Sequence, residues 1–194
     1  MLGYCLMTNH VHWVAIPDRA DSLAVLFQRV HGRYAQYWNA RRRRTGHLWQ
    51  NRFFSCAVAA ERLAIVLRYV EANPIRAGMV ERAEAYRWSS AAAHLAGPGH
   101  EAIPLLDWDY WSSQGGATWW QQWILAEESH RDVVDVRRAT YAGAPYGAER
   151  FVADMEQTFG RQWRQRGRPP RRPAAAENSE KGTEPSASVA AASG

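Results

Sequence analysis

Thr8-Asn9-His10-Val11-His12-Trp13-Val14 places two histidines on either side of one aliphatic residue, inside an apolar run with strand character. Side chains along a strand alternate between faces, so His10 and His12 point the same way while Val11 and Trp13 point the other. Two imidazoles on one face of a rigid strand make a bidentate platform for a divalent metal. Paired histidines on a half-buried strand also simply hydrogen-bond or face solvent, so the pair by itself leaves both readings open. Upstream, Tyr4 and Leu6 continue the apolar pattern, and Thr8-Asn9 reads as a break between two strands that together run from Met1 to Ile16. A chain that opens inside a sheet leaves backbone groups in need of a neighbour, so an element before Met1 is expected to be missing.

The chain has 194 residues, 46% of them hydrophobic, with ten tryptophans, enough for a packed core. Its formal charge is +5, and the basic excess is almost all arginine, whose planar fork suits phosphate. From Ser22 to Ala60 no acidic residue occurs, while Arg29, Arg33, Arg41, Arg42, Arg43, Arg44 and Arg52 all fall inside, interleaved with Tyr34, Tyr37, Trp38 and Trp49. Guanidinium groups neutralise phosphates, and aromatic faces between them can stack on unpaired bases, so nucleic acid is the leading partner class. The plainer reading puts the aromatics in the core and leaves the arginines solvated. No run is long enough to span a bilayer and the first residues lack a signal-peptide pattern, which points to the cytoplasm. Cys5 and Cys56 read as buried thiols rather than a disulfide.

After Pro17, Asp18 or Asp21-Ser22 can cap a helix with apolar positions at Leu23, Leu26, Phe27, Val30, Tyr34, Tyr37 and Trp38, ending in an arginine loop. Arg52 to Val58 reads as a third strand. A second helix spans roughly 61–73, with Leu63, Val66, Leu67 and Val70 as its buried stripe, until Pro74 disfavours continuation. Tyr69 and Asn73 stand four apart on it, so a phenol and an amide share one face. A short helix is expected over 85–95, indole-packed small helices around Trp108, Trp111, Trp119, Trp120 and Trp123, and an amphipathic helix over 149–159. Arg161 to Arg172 holds six arginines and no acid, broken by Gly167 and Pro169-Pro170, and reads as a basic arm ahead of a disordered tail.

Three blocks occur in order: Met7-Thr8-Asn9-His10-Val11-His12, Thr45-Gly46-His47-Leu48-Trp49-Gln50-Asn51-Arg52-Phe53, and Arg68-Tyr69-Val70-Glu71-Ala72-Asn73-Pro74-Ile75-Arg76-Ala77-Gly78. Together they resemble the REP-associated tyrosine transposases, the single-tyrosine branch of the nucleases named for a histidine-hydrophobic-histidine motif, with an IS200-like transposase domain. Tyr86-Arg87-Trp88-Ser89-Ser90 and Gly143-Ala144-Pro145-Tyr146-Gly147 match more loosely, and the resemblance covers about the first 170 residues. Thr8 and Arg87 stand where proline is more usual, Asn51 where glycine is common, and Ala144 where the pattern has arginine.

The resemblance implies an α+β fold: a ferredoxin-like antiparallel sheet with helices on one face, its first strand and helix missing here, then small C-terminal helices. It implies a catalytic domain over residues 1–95, a tryptophan-rich helical extension over 96–160 and the arm and tail over 161–194. It implies that His10, His12 and Asn73 bind Mg2+ or Mn2+ and that Tyr69 is the nucleophile, forming a phosphotyrosine with the DNA 5′ end. Its substrates are single strands bearing imperfect hairpins, the repetitive extragenic palindromes, read by shape and a short flanking tetranucleotide. DNA contacts then fall to Arg29, Arg33, Arg41 to Arg44, Arg52, Arg76, Arg168, Arg171 and Arg172, in a nucleoid-associated monomer or homodimer. Two other readings remain: a truncated remnant that only binds hairpins, and a metal-dependent phosphodiesterase or replication initiator sharing the histidine pair.

Overall fold

The computed structural model describes residues 1–50, 52–126 and 128–163. Arg168, Arg171, Arg172, most of the basic arm and the whole expected tail lie outside the described residues.

The apolar run at the start folds as a hairpin of two strands, β1 (Gly3–Leu6) and β2 (Val11–Val14). They pair antiparallel with Gly3 opposite Val14 and Cys5 opposite His12. Thr8-Asn9 makes the turn, closed by the Met7 amide on the His10 carbonyl at 2.9 Å. The other edge of β1 is filled by an irregular segment: the Leu6 amide donates to the Trp88 carbonyl at 2.8 Å, and the Ser90 amide to the Tyr4 carbonyl at 3.0 Å.

Helix α1 (Ser22–Arg42) follows the expected spacing, though Asp21 caps it only by position, its carboxylate pairing with Arg19 at 3.3 Å instead. The helix takes in Arg41 and Arg42 and stops where Arg43 turns left-handed at φ 51°. Its apolar stripe is not a core. Phe27 meets Trp13 of β2 at 5.6 Å between ring centroids, yet no residue of α1 is buried, and Tyr37 stays 57% exposed.

The third strand is absent, and the sheet among the described residues has two strands rather than a ferredoxin-like set. Both edges of β1 are taken, by β2 and by the 88–90 segment, while the outer edge of β2 pairs with no strand among the described residues. Phe53 stacks on Phe27 at 4.5 Å and Phe54 meets Tyr141 at 5.2 Å. The backbone bonds of this stretch go to Tyr146 instead, which donates to the Ala57 carbonyl and accepts from the Ala59 amide. The α+β class stands.

The core gathers on the His12 face of the hairpin. Helix α2 (Leu63–Glu71) packs there after a 3-10 turn, breaks at Ala72, and restarts as the short α3 (Asn73–Arg76) with Pro74 in its first turn. Val66, Leu67 and Val70 are buried as the spacing predicts. Then come α4 (Ala91–Ala96), α5 (Trp108–Ser113), α6 (Gly116–Leu125), α7 (His130–Ala142) and α8 (Glu149–Phe159). Trp111, Trp120, Val133 and Val136 join Cys5 and Val66 in one cluster, so the tryptophan helices and the hairpin share a core. Both cysteines are free thiols, and burial pushes the Cys5 thiol up to about 12.

Gly3 sets how close α2 comes to β1. A Cβ there would lie 2.6 Å from Leu67 Cδ2, well inside the contact distance of two carbons, and Leu67 is itself fully packed. Gly3→Ala is expected to cost about 1–3 kcal/mol through overpacking. Urea unfolding followed by tryptophan fluorescence measures it, and an unchanged midpoint would mean that α2 is held less tightly than described.

Candidate active site

β2 and α2 bring the sequence-marked residues together. His10 and His12 lie on one face with ring centroids 4.8 Å apart. The ring of Tyr69 stands edge-on to that of His12 at 5.7 Å. The Asn73 amide meets His12 Nε2 in a short contact. The 61-residue gap in sequence is closed because Cys5, directly across from His12, is buried beneath the same helix.

Both imidazoles are held neutral by burial. Burial, with lesser contributions from His10, Arg76 and Arg137, pushes His12 down to about 4, so its ring is neutral at neutral pH, with Nε2 facing the Asn73 amide nitrogen. Burial also lowers His10. Asn9 Oδ1 sits 2.7 Å from His10 Nδ1, which assigns the proton to Nδ1 and leaves Nε2 free. No group of three or more His, Cys, Asp or Glu gathers among the described residues, and two neutral imidazoles and the Asn73 side-chain amide lie together here. That set fits an octahedral Mg2+ or Mn2+ with positions left for water and phosphate oxygens.

The depressed His12 has a consequence for stability. Unfolded, the ring takes a proton near 6.5; folded, only near 4, so between these values the unfolded chain holds more protons. Stability is therefore full above 6.5 and falls as pH drops towards 4, by at most ~3 kcal/mol. Urea titrations in chelator at pH 7 and pH 4.5 test this, with His12→Gln expected to flatten the difference and an equal slope in both proteins ruling it out.

Two guanidiniums flank Tyr69. That of Arg76 lies 4.4 Å from the ring centroid, donates to the Tyr69 carbonyl, and is held by Glu128 through two 2.7 Å contacts. Expected to face DNA, Arg76 is spent instead on fixing Tyr69. The second, Arg137 of α7, was not marked by the sequence; its Nε donates to the Tyr69 hydroxyl at 3.4 Å. Val133, Val136 and Ala139 at helical spacing, between Ser129 and Gly143, were the signal for α7. Arg29, Arg33, Arg41 to Arg44 and Arg52 are exposed, away from any carboxylate among the described residues.

Behind Tyr69 the helix is anchored by Glu71, fully buried. Its Oε1 accepts from the Ser90 hydroxyl and lies 2.6 Å from His94 Nδ1, and its Oε2 accepts from Trp120 Nε1 at 2.7 Å. Arg68, also buried, reaches Asp132 of α7 at 3.7 Å.

Residues 1–73 match the family model described as Transposase IS200 like, a span that takes in both histidines and Tyr69 and closes on Asn73. Over these residues the chain is similar to the IS200-like transposases. Its histidines, tyrosine and asparagine are thus brought to one place by the matched segment, and the match supports transposase-like DNA processing. The groups that surround the IS200-like site from behind, Ser90, His94, Trp120 and Arg137, come from outside the matched span. No curated protein and no solved structure matches the chain. No described helix is long and apolar enough to cross a membrane.

Proposed function

We propose that the protein cleaves and rejoins single-stranded DNA bearing hairpins, with Tyr69 as the nucleophile and a covalent 5′-phosphotyrosine as the intermediate. The observation that carries this reading is the meeting of His12, Tyr69 and Asn73. A phenol beside two neutral imidazoles and an amide has little structural purpose, but it suits attack on a phosphodiester.

His10, His12 and Asn73 would hold Mg2+ or Mn2+, which when bound supplies positive charge to the scissile phosphate. Asn9 orients His10, and Arg76 holds the Tyr69 ring and main chain. The Tyr69 oxygen attacks phosphorus, the bond to the 3′ oxygen breaks, and a free 3′ hydroxyl is released. Keeping the phosphoryl group as an ester of tyrosine lets another 3′ hydroxyl take it up without a nucleotide cofactor. The exposed arginines of α1 and its following loop supply backbone contacts to the palindromic hairpins, in a nucleoid-associated monomer or homodimer.

A denaturing gel of the protein with end-labelled hairpin DNA and Mn2+ tests the reading, beside Tyr69→Phe and His10→Ala. A labelled adduct that survives denaturation and is absent from both variants is expected. Hairpin retained on a native gel without any adduct would favour the binding-only remnant. Cleavage that leaves no label on the protein would favour the phosphodiesterase.

A further inference from the structure

We propose that Arg137 is a catalytic residue, its guanidinium holding the attacking oxygen of Tyr69 and gripping the scissile phosphate; this rests on Tyr69 being the nucleophile. It makes α7, beyond the matched residues 1–73, part of the active site.

The placement comes from packing. Val133, Val136 and Ala139 are buried and fix α7 against α2, while Arg137, between them in sequence, is exposed and extends along the surface to the Tyr69 hydroxyl. The two guanidiniums at Tyr69 divide the work. Arg76 has one terminal nitrogen on Glu128 and the other on the Tyr69 carbonyl, and its Nε is buried without a partner among the described residues, so its fork is held in place and closed off from a substrate. Arg137 uses only Nε on the hydroxyl, and among the described residues its two terminal nitrogens meet no carboxylate. A planar fork with one edge on the nucleophile and two donors open is shaped for the non-bridging oxygens of a phosphodiester.

The step balances without a co-reactant. The Tyr69 oxygen forms a bond to phosphorus and the bond from phosphorus to the 3′ oxygen breaks. The phenolic proton passes to water, and the departing 3′ oxygen takes one from water. The phosphodiester keeps its single negative charge before and after, but as the bond forms negative charge drains from the entering Tyr69 oxygen and gathers on the departing 3′ oxygen, the non-bridging oxygens staying charged throughout. Arg137 steadies the Tyr69 oxygen as its proton leaves, and its open terminal nitrogens are free to take the non-bridging oxygens.

The test measures single-turnover adduct formation by the full chain with a labelled hairpin and Mn2+, together with hairpin affinity. Arg137→Gln is expected to slow adduct formation about 100-fold, the scale of losing a fixed donor to a transition-state oxygen, with affinity changed less than about three-fold. Arg137→Lys is expected to recover roughly ten-fold, since it restores charge without the fork. Free guanidinium should accelerate Arg137→Ala but not the unaltered protein, a rescue that a purely structural role would not give. Arg138→Gln, its exposed neighbour, should leave the rate unchanged. If the unaltered protein forms adduct and Arg137→Gln matches it within two-fold, or loses rate only in proportion to affinity, the assignment of Arg137 is overturned while the tyrosine chemistry stands. If the unaltered protein forms no adduct, both fall together.

Discussion

Glu71→Ala is expected to remove about 3–5 kcal/mol of folding stability, the scale of breaking a buried charged or hydrogen-bonded set by deleting one member. The carboxyl group is fully buried and serves three partners at once: the Ser90 hydroxyl and His94 on one oxygen, Trp120 on the other. Alanine would strand His94 and Trp120 in a space closed to water, where each unmet donor costs about 1–3 kcal/mol, while the Ser90 hydroxyl keeps the Tyr4 carbonyl at 3.2 Å. It would also leave a hollow beside the stacked rings of His94 and Trp111, whose centroids are 3.8 Å apart. Glu71→Gln keeps one acceptor oxygen and turns an amide donor onto the remaining partners, so roughly half the loss is expected. Urea unfolding reports both, with the buried Trp111 and Trp120 as fluorescent probes. A Glu71→Ala protein within 1 kcal/mol of the original would show that the cluster fills space and little more.

His12→Ala is expected to weaken Mn2+ binding by at least about 100-fold and to abolish adduct formation, since a ligand is lost outright and not merely its support. His12 is the member of the pair that touches both the asparagine and the tyrosine, which is why its loss should exceed that of the more exposed His10. Asn9→Ala should cost less, near ten-fold in metal affinity, by freeing the His10 ring to turn. Calorimetric titration with Mn2+ separates the three. Equal affinity in His12→Ala and the unaltered protein would remove His12 from the metal site.

The elements that were legible in the sequence carry their own periodicity. The hairpin shows in the alternation around Val11 and Trp13, α2 in Val66, Leu67 and Val70, and α8 in Phe151, Val152, Met155 and Phe159. What was not legible depends on partners distant in the chain. The stretch around Phe53 has strand composition, but composition does not choose a partner, and the backbone bonds at its end, from Ala57 and Ala59, go to Tyr146. Helix α1 has the spacing of a core helix, yet burial of that stripe requires a facing surface that periodicity does not encode. Helix α7 was passed over because charged residues outnumber its three buried ones. Glu71 reads as a surface residue, because a glutamate shows nothing locally of the serine, histidine and indole that receive it.

The Glu71 anchor bears on how such a chain can be taken apart or recombined. The segment that matches the family holds the reactive groups, while the wall they lean on is built from residues 90–137. The matched segment is therefore not an interchangeable cassette. A chimera joined just after Asn73 would carry His10, His12, Tyr69 and Asn73 into a foreign interior, where Glu71 would face whatever indole and histidine the other half happened to offer. A chimera is expected to fold only where both halves of this seam travel together, since residues 1–163 form one compact unit.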